Sequence, residues 1–255
     1  MTLRRLHATR YVTPLREGGS LPAVLETEGG GLFVAKFRGA GQGAKALVAE
    51  LIAGEIARAA GLRVPELALL QIDADLGRTE RDEEIRDLLR ASAGINVGLS
   101  FLSSALGFDP AADVTLDADV ASMVVVVDAF VMNVDRSARN PNLLWWEDEL
   151  WLIDHGAAFL WHHDWDGGLG GADRAFGLTA QHVLLPAASA LDEAGRRLAL
   201  RLDDATLAGI VADVPDELLP EGEGDRWRDA YRRYLSARRD AAPIFVAEAE
   251  RARGL

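Results

Sequence analysis

The chain has 255 residues, of which 49% are hydrophobic, and its 40 acidic and 27 basic residues give a net charge of −13. This length suits one large domain or two lobes around a cleft, and the apolar content excludes disorder as a global description. The acidic balance argues against a bare nucleic-acid-binding surface, so we expect no direct nucleic-acid partner. The lack of cysteine excludes disulfides and cysteine-based zinc sites and fits a cytoplasmic location.

No segment of the sequence is typical of export or membrane insertion. The N-terminus lacks the apolar core of a signal peptide. The longest apolar run, Met123–Val134, is interrupted by Asp128 and Asn133 and is too short and too polar to span a bilayer. We therefore expect no membrane span.

Short strands and turns dominate the beginning of the chain. Strands are predicted over Thr9–Leu15, Ala23–Glu26 and Leu32–Phe37, with glycine-rich turns at 16–20 and 29–31. Two hairpins in succession predict an antiparallel meander.

A predicted helix over Lys45–Ala60 follows, since its apolar residues recur on about one face. Strands are predicted over Leu67–Ile72 and Ile95–Leu102, and the charged stretch Thr79–Arg90 between them is typical of an exposed helix.

The second part of the chain is predicted to be helical. Leu116–Met132 forms a long apolar helix, and a hairpin follows from Leu143–Trp146 and Leu150–Ile153. The sequence thus predicts an α+β protein, with a small antiparallel β lobe carrying one helix at residues 1–103 and a mostly helical lobe at 104–255. A cleft between two such lobes is where a ligand would bind.

Lys36 lies at the end of an apolar strand, where an ammonium group is costly to bury unless it meets an anion. Glu50 and Glu55 on the following helix are both candidates, and such a pair positions a lysine on nucleotide phosphates. The alternative is that Lys36 points to solvent from an edge strand.

Gly18, Gly19 and Ser20 join the first two predicted strands. Glycines let the backbone approach phosphates with its N–H groups free, so this turn is the candidate phosphate-covering loop. Ordinary turn chemistry explains the same residues. We interpret Gly29–Gly31 as a plain hairpin turn.

Two acids and a carboxamide flank the predicted hairpin. Asp135 could accept a proton, Asn140 could offer a carbonyl oxygen to a hard cation, and Asp154 could bridge that cation to phosphates. Asp135 could instead be a loop acid or a helix cap, and Asn140 could be part of a plain turn. Asn142 is expected only to buttress the loop, and His155 to pack or to hydrogen-bond the loop without transferring protons.

His162 and His163 suggest a metal site at first sight. Adjacent histidines cannot easily share one ion from a regular element, and a glycine-rich stretch follows them. We therefore predict a surface loop.

The order of these features is that of a kinase-like fold: glycine loop, strand lysine, helix glutamate, hinge, Asp-x4-Asn loop, then Asp-x-Gly. Residues 129–140, Ala-Phe-Val-Met-Asn-Val-Asp-Arg-Ser-Ala-Arg-Asn, resemble the catalytic loop of HipA-like kinases. Glu50 with residues 59–65 resembles the helix and helix exit of that family. Asp135-Arg136 with residues 153–156 also looks like the distantly related phosphatidylinositol 3/4-kinases. The resemblance covers roughly residues 10–160.

The resemblance implies a bilobal protein-kinase-like fold that uses ATP and Mg²⁺. Carried over by position, it implies Lys36 on the nucleotide phosphates, Glu50 as its partner, Asp135 as catalytic base, Asn140 and Asp154 as magnesium ligands, and Phe101, Leu102 and Ser103 as the hinge facing adenine.

The expected activity is transfer of the ATP γ-phosphate to a hydroxyl-bearing acceptor, with protein serine or threonine favoured. The alternatives are a regulatory pseudokinase, a kinase acting on a small molecule or lipid head group, and transfer of AMP. HipA toxins carry an N-terminal subdomain that meets a DNA-binding antitoxin. This chain begins almost at the glycine loop, so we expect no toxin–antitoxin role.

Overall fold

The computed structural model of the protein describes residues 3–15, 21–41, 43–112 and 115–254. The predicted loop residues Gly18, Gly19 and Ser20 lie outside the described residues. The strands are β1 Arg4–Pro14, β2 Ala23–Thr27, β3 Leu32–Lys36, β4 Leu67–Ile72, β5 Gly94–Ser100, β6 Leu106–Gly107, β7 Leu143–Trp146 and β8 Glu149–Leu152. The helices are α1 Gly43–Ala59, α2 Glu83–Ala91, α3 Ala118–Val131, α4 Leu191–Arg201, α5 Asp204–Ala212, α6 Gly224–Asp240 and α7 Ala242–Arg253. Short 3-10 turns lie at Leu160–Asp164, Gly177–Gln181, Leu185–Ala187 and Asp216–Leu218.

The first five strands close into a barrel in the order β1-β2-β3-β5-β4. The pairs β1–β2 and β2–β3 are antiparallel, which confirms the predicted meander. The structure differs from the predicted antiparallel β lobe with one helix: β4 pairs with β1 in parallel, Arg4 opposite Ala68, and α2 is a second helix within residues 1–103. The chain passes through α1 before it reaches β4, and a crossover of this kind permits parallel pairing.

Strand β3 lies inside the barrel wall, between β2 and β5. The edge-strand interpretation of Lys36 is therefore wrong, and only 12% of its side chain is exposed. Apolar side chains from several strands fill the barrel, among them Leu25, Phe33 and Leu70. The barrel thus holds Lys36 on a rigid strand.

Helix α3 forms the centre of the helical part and packs against α4 and α7. Asp117 caps its N-terminus by accepting hydrogen bonds from the N–H groups of Asp119 and Val120. The last turn of α3 ends at Met132, which adopts a left-handed conformation (φ 52°). The predicted catalytic loop therefore begins directly at the end of a buried helix. Among the described residues, no helix combines the length and apolar character that crossing a bilayer requires.

Arg238 of α6 is buried and joins three parts of the helical region. Its guanidinium donates to the carbonyls of Phe130 (3.2 Å), Ala129 (2.8 Å) and Ala172 (3.1 Å), and also to the carbonyl of Arg174. Two of these carbonyls belong to the last turn of α3, where the helix dipole favours a cation. Burial lowers the pKa of Arg238 to about 10, so it stays charged at neutral pH.

His162 is buried, so the prediction of a surface loop is wrong for this residue, whereas His163 is exposed. The Nδ1 atom of His162 lies 2.9 Å from the hydroxyl of Tyr231. The Lys45 ammonium of α1 donates to the carbonyls of His162 (2.7 Å) and His163 (2.6 Å). Because burial and the neighbouring charges of His163 and Lys45 disfavour the imidazolium, the pKa of His162 falls to about 3.

This depressed pKa predicts a loss of stability in mild acid. An unfolded histidine binds a proton below pH 6.5, whereas His162 in the folded protein does so only near pH 3. The contribution of neutral, buried His162 to the free energy of unfolding is therefore complete above pH 6.5. It is lost as the pH falls toward 3, because only the unfolded state gains a proton in that range. We expect His162 to lower the free energy of unfolding by about 2 kcal/mol between pH 7 and pH 5. Urea unfolding of wild type and His162→Asn will measure this contribution, with His7→Asn on the barrel as the control, since His7 is not among the groups that shift the pKa of His162. Equal pH slopes in all three proteins would contradict it.

Candidate active site

Lys36 and Asp154 meet in the structure. The ammonium nitrogen of Lys36, at the end of β3, lies 2.6 Å from Oδ1 of Asp154, just after β8. Asp154 adopts a left-handed backbone (φ 55°), which is uncommon for a residue other than glycine. A small cavity of about 20 Å³ is lined by Lys36, Glu50, Asp154 and Gly156. The barrel and the β7–β8 hairpin thus contribute to one site.

Glu50 of α1 lies at the same cavity but pairs with another residue. Its Oε1 is 3.4 Å from Nδ1 of His155, and both side chains are 1% exposed. Burial alone would raise the pKa of Glu50, but the His155 hydrogen bond and the Lys36 charge outweigh burial and lower the pKa to about 2. Glu50 is therefore a carboxylate at neutral pH. Its Oε2 is buried and has no hydrogen-bond partner among the described residues.

These contacts distinguish the two glutamates proposed as partners of Lys36. Glu50 lies in the electrostatic field of Lys36, whereas Glu55 faces Arg58 at 3.7 Å. The ion pair of Lys36 is made with Asp154 and not with Glu50. His155 hydrogen-bonds Glu50 of α1 and not the predicted catalytic loop.

The loop of Asp135 is held by two asparagines. Asn140 Nδ2 donates to both carboxylate oxygens of Asp135, each at 2.9 Å, so its own Oδ1 is turned away from that carboxylate. Asn142 Nδ2 donates to the backbone carbonyl of Asp135 at 2.7 Å, which is the buttressing role expected for it. The Ile153 N–H in turn donates to the Asn142 carbonyl (3.1 Å), so the loop lies beside the residue that precedes Asp154.

Asp128, a buried acid that was not among the predicted site residues, supports this loop. Asp128 of α3 forms an ion pair with Arg136 and accepts from Asn133 Nδ2 at 3.1 Å. Burial alone would raise the pKa of Asp128, but the Arg136 charge and further hydrogen bonds hold the pKa well below its ordinary value. The guanidinium of Arg136 also donates to the Asn142 carbonyl at 2.6 Å. An acid within the apolar run Met123–Val134 was the available sequence signal, since a buried charge needs partners.

The expected hinge segment leaves the barrel beside β3. The Phe101 N–H donates to the Leu32 carbonyl (2.9 Å), and the Ser103 carbonyl accepts from the indole of Trp146 on β7 (3.0 Å). Leu102, between them, is half-buried. These bonds connect the segment to the barrel on one side and to the hairpin on the other.

The donor set fits a hard cation such as Mg²⁺. Asp154 and Asn140 offer oxygen ligands, and the unpartnered Oε2 of Glu50 leaves an acceptor in the cavity that Lys36 lines. Among the residues that the structure describes, no group of three acidic or histidine side chains is placed to hold a metal by itself. Magnesium commonly takes several of its ligands from phosphates and water, so a cavity with few protein oxygen ligands is compatible with a metal–nucleotide.

Comparisons with known proteins give a family match and similar solved structures. The model of the HipA-like kinase family matches residues 9–168. The solved structure of the Helicobacter pylori proinflammatory kinase CtkA is similar with a TM-score of 0.54 and 12% identity, covering 98% of this chain and 97% of that chain. The Golgi casein kinase with Mn/ADP bound has a TM-score of 0.47 and 12% identity, covering 98% of this chain and 73% of that chain. No curated protein matches.

The family match spans well over half of the chain, from the predicted strand before the glycine loop to beyond Asp154. The CtkA likeness shows that the fold extends over almost the whole length of both chains. The resemblance noted in the sequence is thereby confirmed, and the protein belongs to the HipA-like kinase family.

Proposed function

We propose that the protein is a magnesium- and ATP-dependent phosphotransferase that transfers the γ-phosphate of ATP to a hydroxyl group, with protein serine or threonine as the favoured acceptor. Membership of a kinase family supports the reaction class. In this proposal residues 1–103 form the nucleotide-binding lobe and residues 104–255 the lobe that carries the catalytic loop.

The observation that carries the proposal is the 2.6 Å ion pair between Lys36 and Asp154. It brings a cation from the barrel and an acid from the hairpin to one cavity, where Glu50 adds a buried carboxylate. A nucleotide phosphate with its cation can replace each partner: the phosphate takes the place of Asp154 at Lys36, and the cation takes the place of Lys36 at Asp154.

Each site residue has a separate role in the proposed reaction. Lys36 binds phosphate oxygens, and Glu50 keeps a negative charge beside the ammonium group. Asp154 and Asn140 would hold Mg²⁺, which supplies neutralisation of phosphate charge when bound. Asp135 accepts the hydroxyl proton of the acceptor, oriented by Asn140. Phe101, Leu102 and Ser103 face the adenine, and Gly18, Gly19 and Ser20 cover the phosphates.

Asp154→Asn tests the metal-binding role. The change removes a negative charge from the proposed cation site, so we expect Mg-ATP affinity to fall at least about tenfold. Calorimetric titration with Mg-ATP, alongside ATP without a divalent cation, will measure the loss. Asp148→Asn on the exposed β7–β8 turn is the control. Equal Mg-ATP affinity in wild type and Asp154→Asn would contradict the assignment.

Product analysis separates the proposed reaction from its alternatives. We expect mass spectrometry of wild type incubated with Mg-ATP to show phosphate on its own serine or threonine residues, or on a supplied protein. Addition of AMP would instead indicate nucleotidyl transfer. Phosphate found only on a small molecule or lipid head group would reassign the acceptor. Binding without any turnover would identify a regulatory pseudokinase and overturn the proposal.

A further inference from the structure

His182 reaches the catalytic loop from a part of the chain that lies beyond residues 9–168, the span matched by the family model. It follows the 3-10 turn Gly177–Gln181 and is buried, with 8% exposure. Its Nε2 atom lies 2.9 Å from Oδ2 of Asp128, the oxygen that also pairs with Arg136. Asp128 therefore accepts hydrogen bonds from three side chains, those of Asn133, Arg136 and His182.

The hydrogen bonds define the tautomer of His182. Its Nδ1 accepts from the N–H of Leu184 at 3.1 Å, so Nδ1 carries no proton and the ring proton is on Nε2. Nε2 is therefore the donor to Asp128. A neutral imidazole with this tautomer satisfies the backbone on one side and the buried carboxylate on the other.

The backbone around His182 also lies against the loop. Ser137 and His182 form an antiparallel bridge, and the Val183 N–H donates to the carbonyl of Arg136 at 3.1 Å. Arg136 in turn holds the Asn142 carbonyl, and Asn142 holds Asp135. A continuous series of contacts thus runs from His182 to the proposed base.

We infer that His182 is a positioning residue for phosphoryl transfer: by donating to Asp128 it fixes Arg136, and through Arg136 the loop that presents Asp135 and Asn140. This inference rests on the proposed function. It assigns His182 no contact with substrate or nucleotide. His182 lines a small cavity with Asp128, whereas Lys36 and Glu50 line a different one. Displacing a loop of this kind slows the reaction without weakening nucleotide binding in proportion.

The test compares His182→Ala with His182→Gln. Glutamine keeps a side-chain N–H donor at about the reach of Nε2, whereas alanine removes it. We expect His182→Ala to lower kcat for phosphoryl transfer by about 10- to 100-fold, with KM for ATP changed less than about threefold. We expect His182→Gln to recover most of the rate. His7→Ala is the matched control, since His7 is a partly exposed histidine paired with Asp73 on the barrel.

Amide hydrogen exchange provides a second readout that does not depend on turnover. The Ser137 N–H donates to the Asn140 carbonyl and reports on the loop. In His182→Ala we expect it to exchange at least about tenfold faster, while amides of the barrel strands stay unchanged, and in His182→Gln to remain protected. If wild type shows no transfer but the exchange pattern appears, the proposed function fails and the positioning contact stands.

Three results would overturn the inference. Unchanged kcat and unchanged loop exchange in His182→Ala would show that the loop does not depend on His182. Equal losses in the alanine and glutamine variants would show that the Nε2 donor is not what matters. Faster exchange throughout the molecule would show that His182 supports global stability and not the loop.

Discussion

Replacing Asp135 by asparagine is expected to reduce phosphoryl transfer by about 10²- to 10⁴-fold, the range that a positioned general base contributes. Asparagine preserves the size of the side chain but cannot accept the hydroxyl proton. In wild type, Asn140 Nδ2 donates to both carboxylate oxygens at 2.9 Å, and the variant keeps one of these two acceptors. The Asp135 backbone is held separately by Asn142, so the loop has the means to keep its shape. Initial rates of acceptor phosphorylation or autophosphorylation will measure the effect.

Nucleotide binding separates this outcome from general damage. Because Lys36, Glu50 and Asp154 line a cavity that Asp135 does not, we expect the Mg-ATP affinity of Asp135→Asn to stay within about threefold of wild type. Asp148→Asn, on the exposed turn between β7 and β8, should retain full activity. Full turnover by Asp135→Asn would remove Asp135 from the role of base.

Arg238→Met is expected to lower the free energy of unfolding by about 3–5 kcal/mol. Methionine keeps an apolar stem beside Phe245, whose ring centroid lies 4.4 Å from the guanidinium carbon, but it leaves the four carbonyls without their donor. Buried unsatisfied carbonyls are costly, and two of them end α3. Urea unfolding at pH 7 will measure the change.

Arg233→Met on the same helix is the control for this experiment. Arg233 is exposed and pairs with Asp229 at i,i+4, so its replacement should change stability by less than about 0.5 kcal/mol. A loss below about 1 kcal/mol in Arg238→Met would show that water or a rearranged backbone satisfies the carbonyls.

Local patterns in the sequence were sufficient to predict the elements that carry the site. Alternating apolar residues and glycine turns predict β2 and β3, and the apolar run at 116–132 predicts α3. The spacing of Asp135 and Asn140 predicts that both lie on one loop, and the structure places them in contact. Such features depend on residues close in sequence, so a single chain can reveal them.

Features that depend on distant residues were not predicted. Lys36 pairs with Asp154 and not with Glu50, because the choice depends on how the hairpin meets the barrel. The contact between His182 and Asp128 joins residues with no shared local pattern. His162 was misjudged since its burial depends on Tyr231 of α6. Asp128 alone carried a usable signal, as an acid inside an apolar helix.

The parallel pairing of β1 with β4 has a consequence for synthesis on the ribosome. β1 is synthesised before β4, the strand with which it pairs in parallel (Arg4 opposite Ala68), and α1 lies between the two in the chain. The wall closes later still, when β5 pairs with both β3 and β4. Loop-closure entropy must be overcome before these pairs form, so Lys36 gains its rigid setting only once residue 100 has left the exit tunnel. Until then the nascent strands expose unpaired edges.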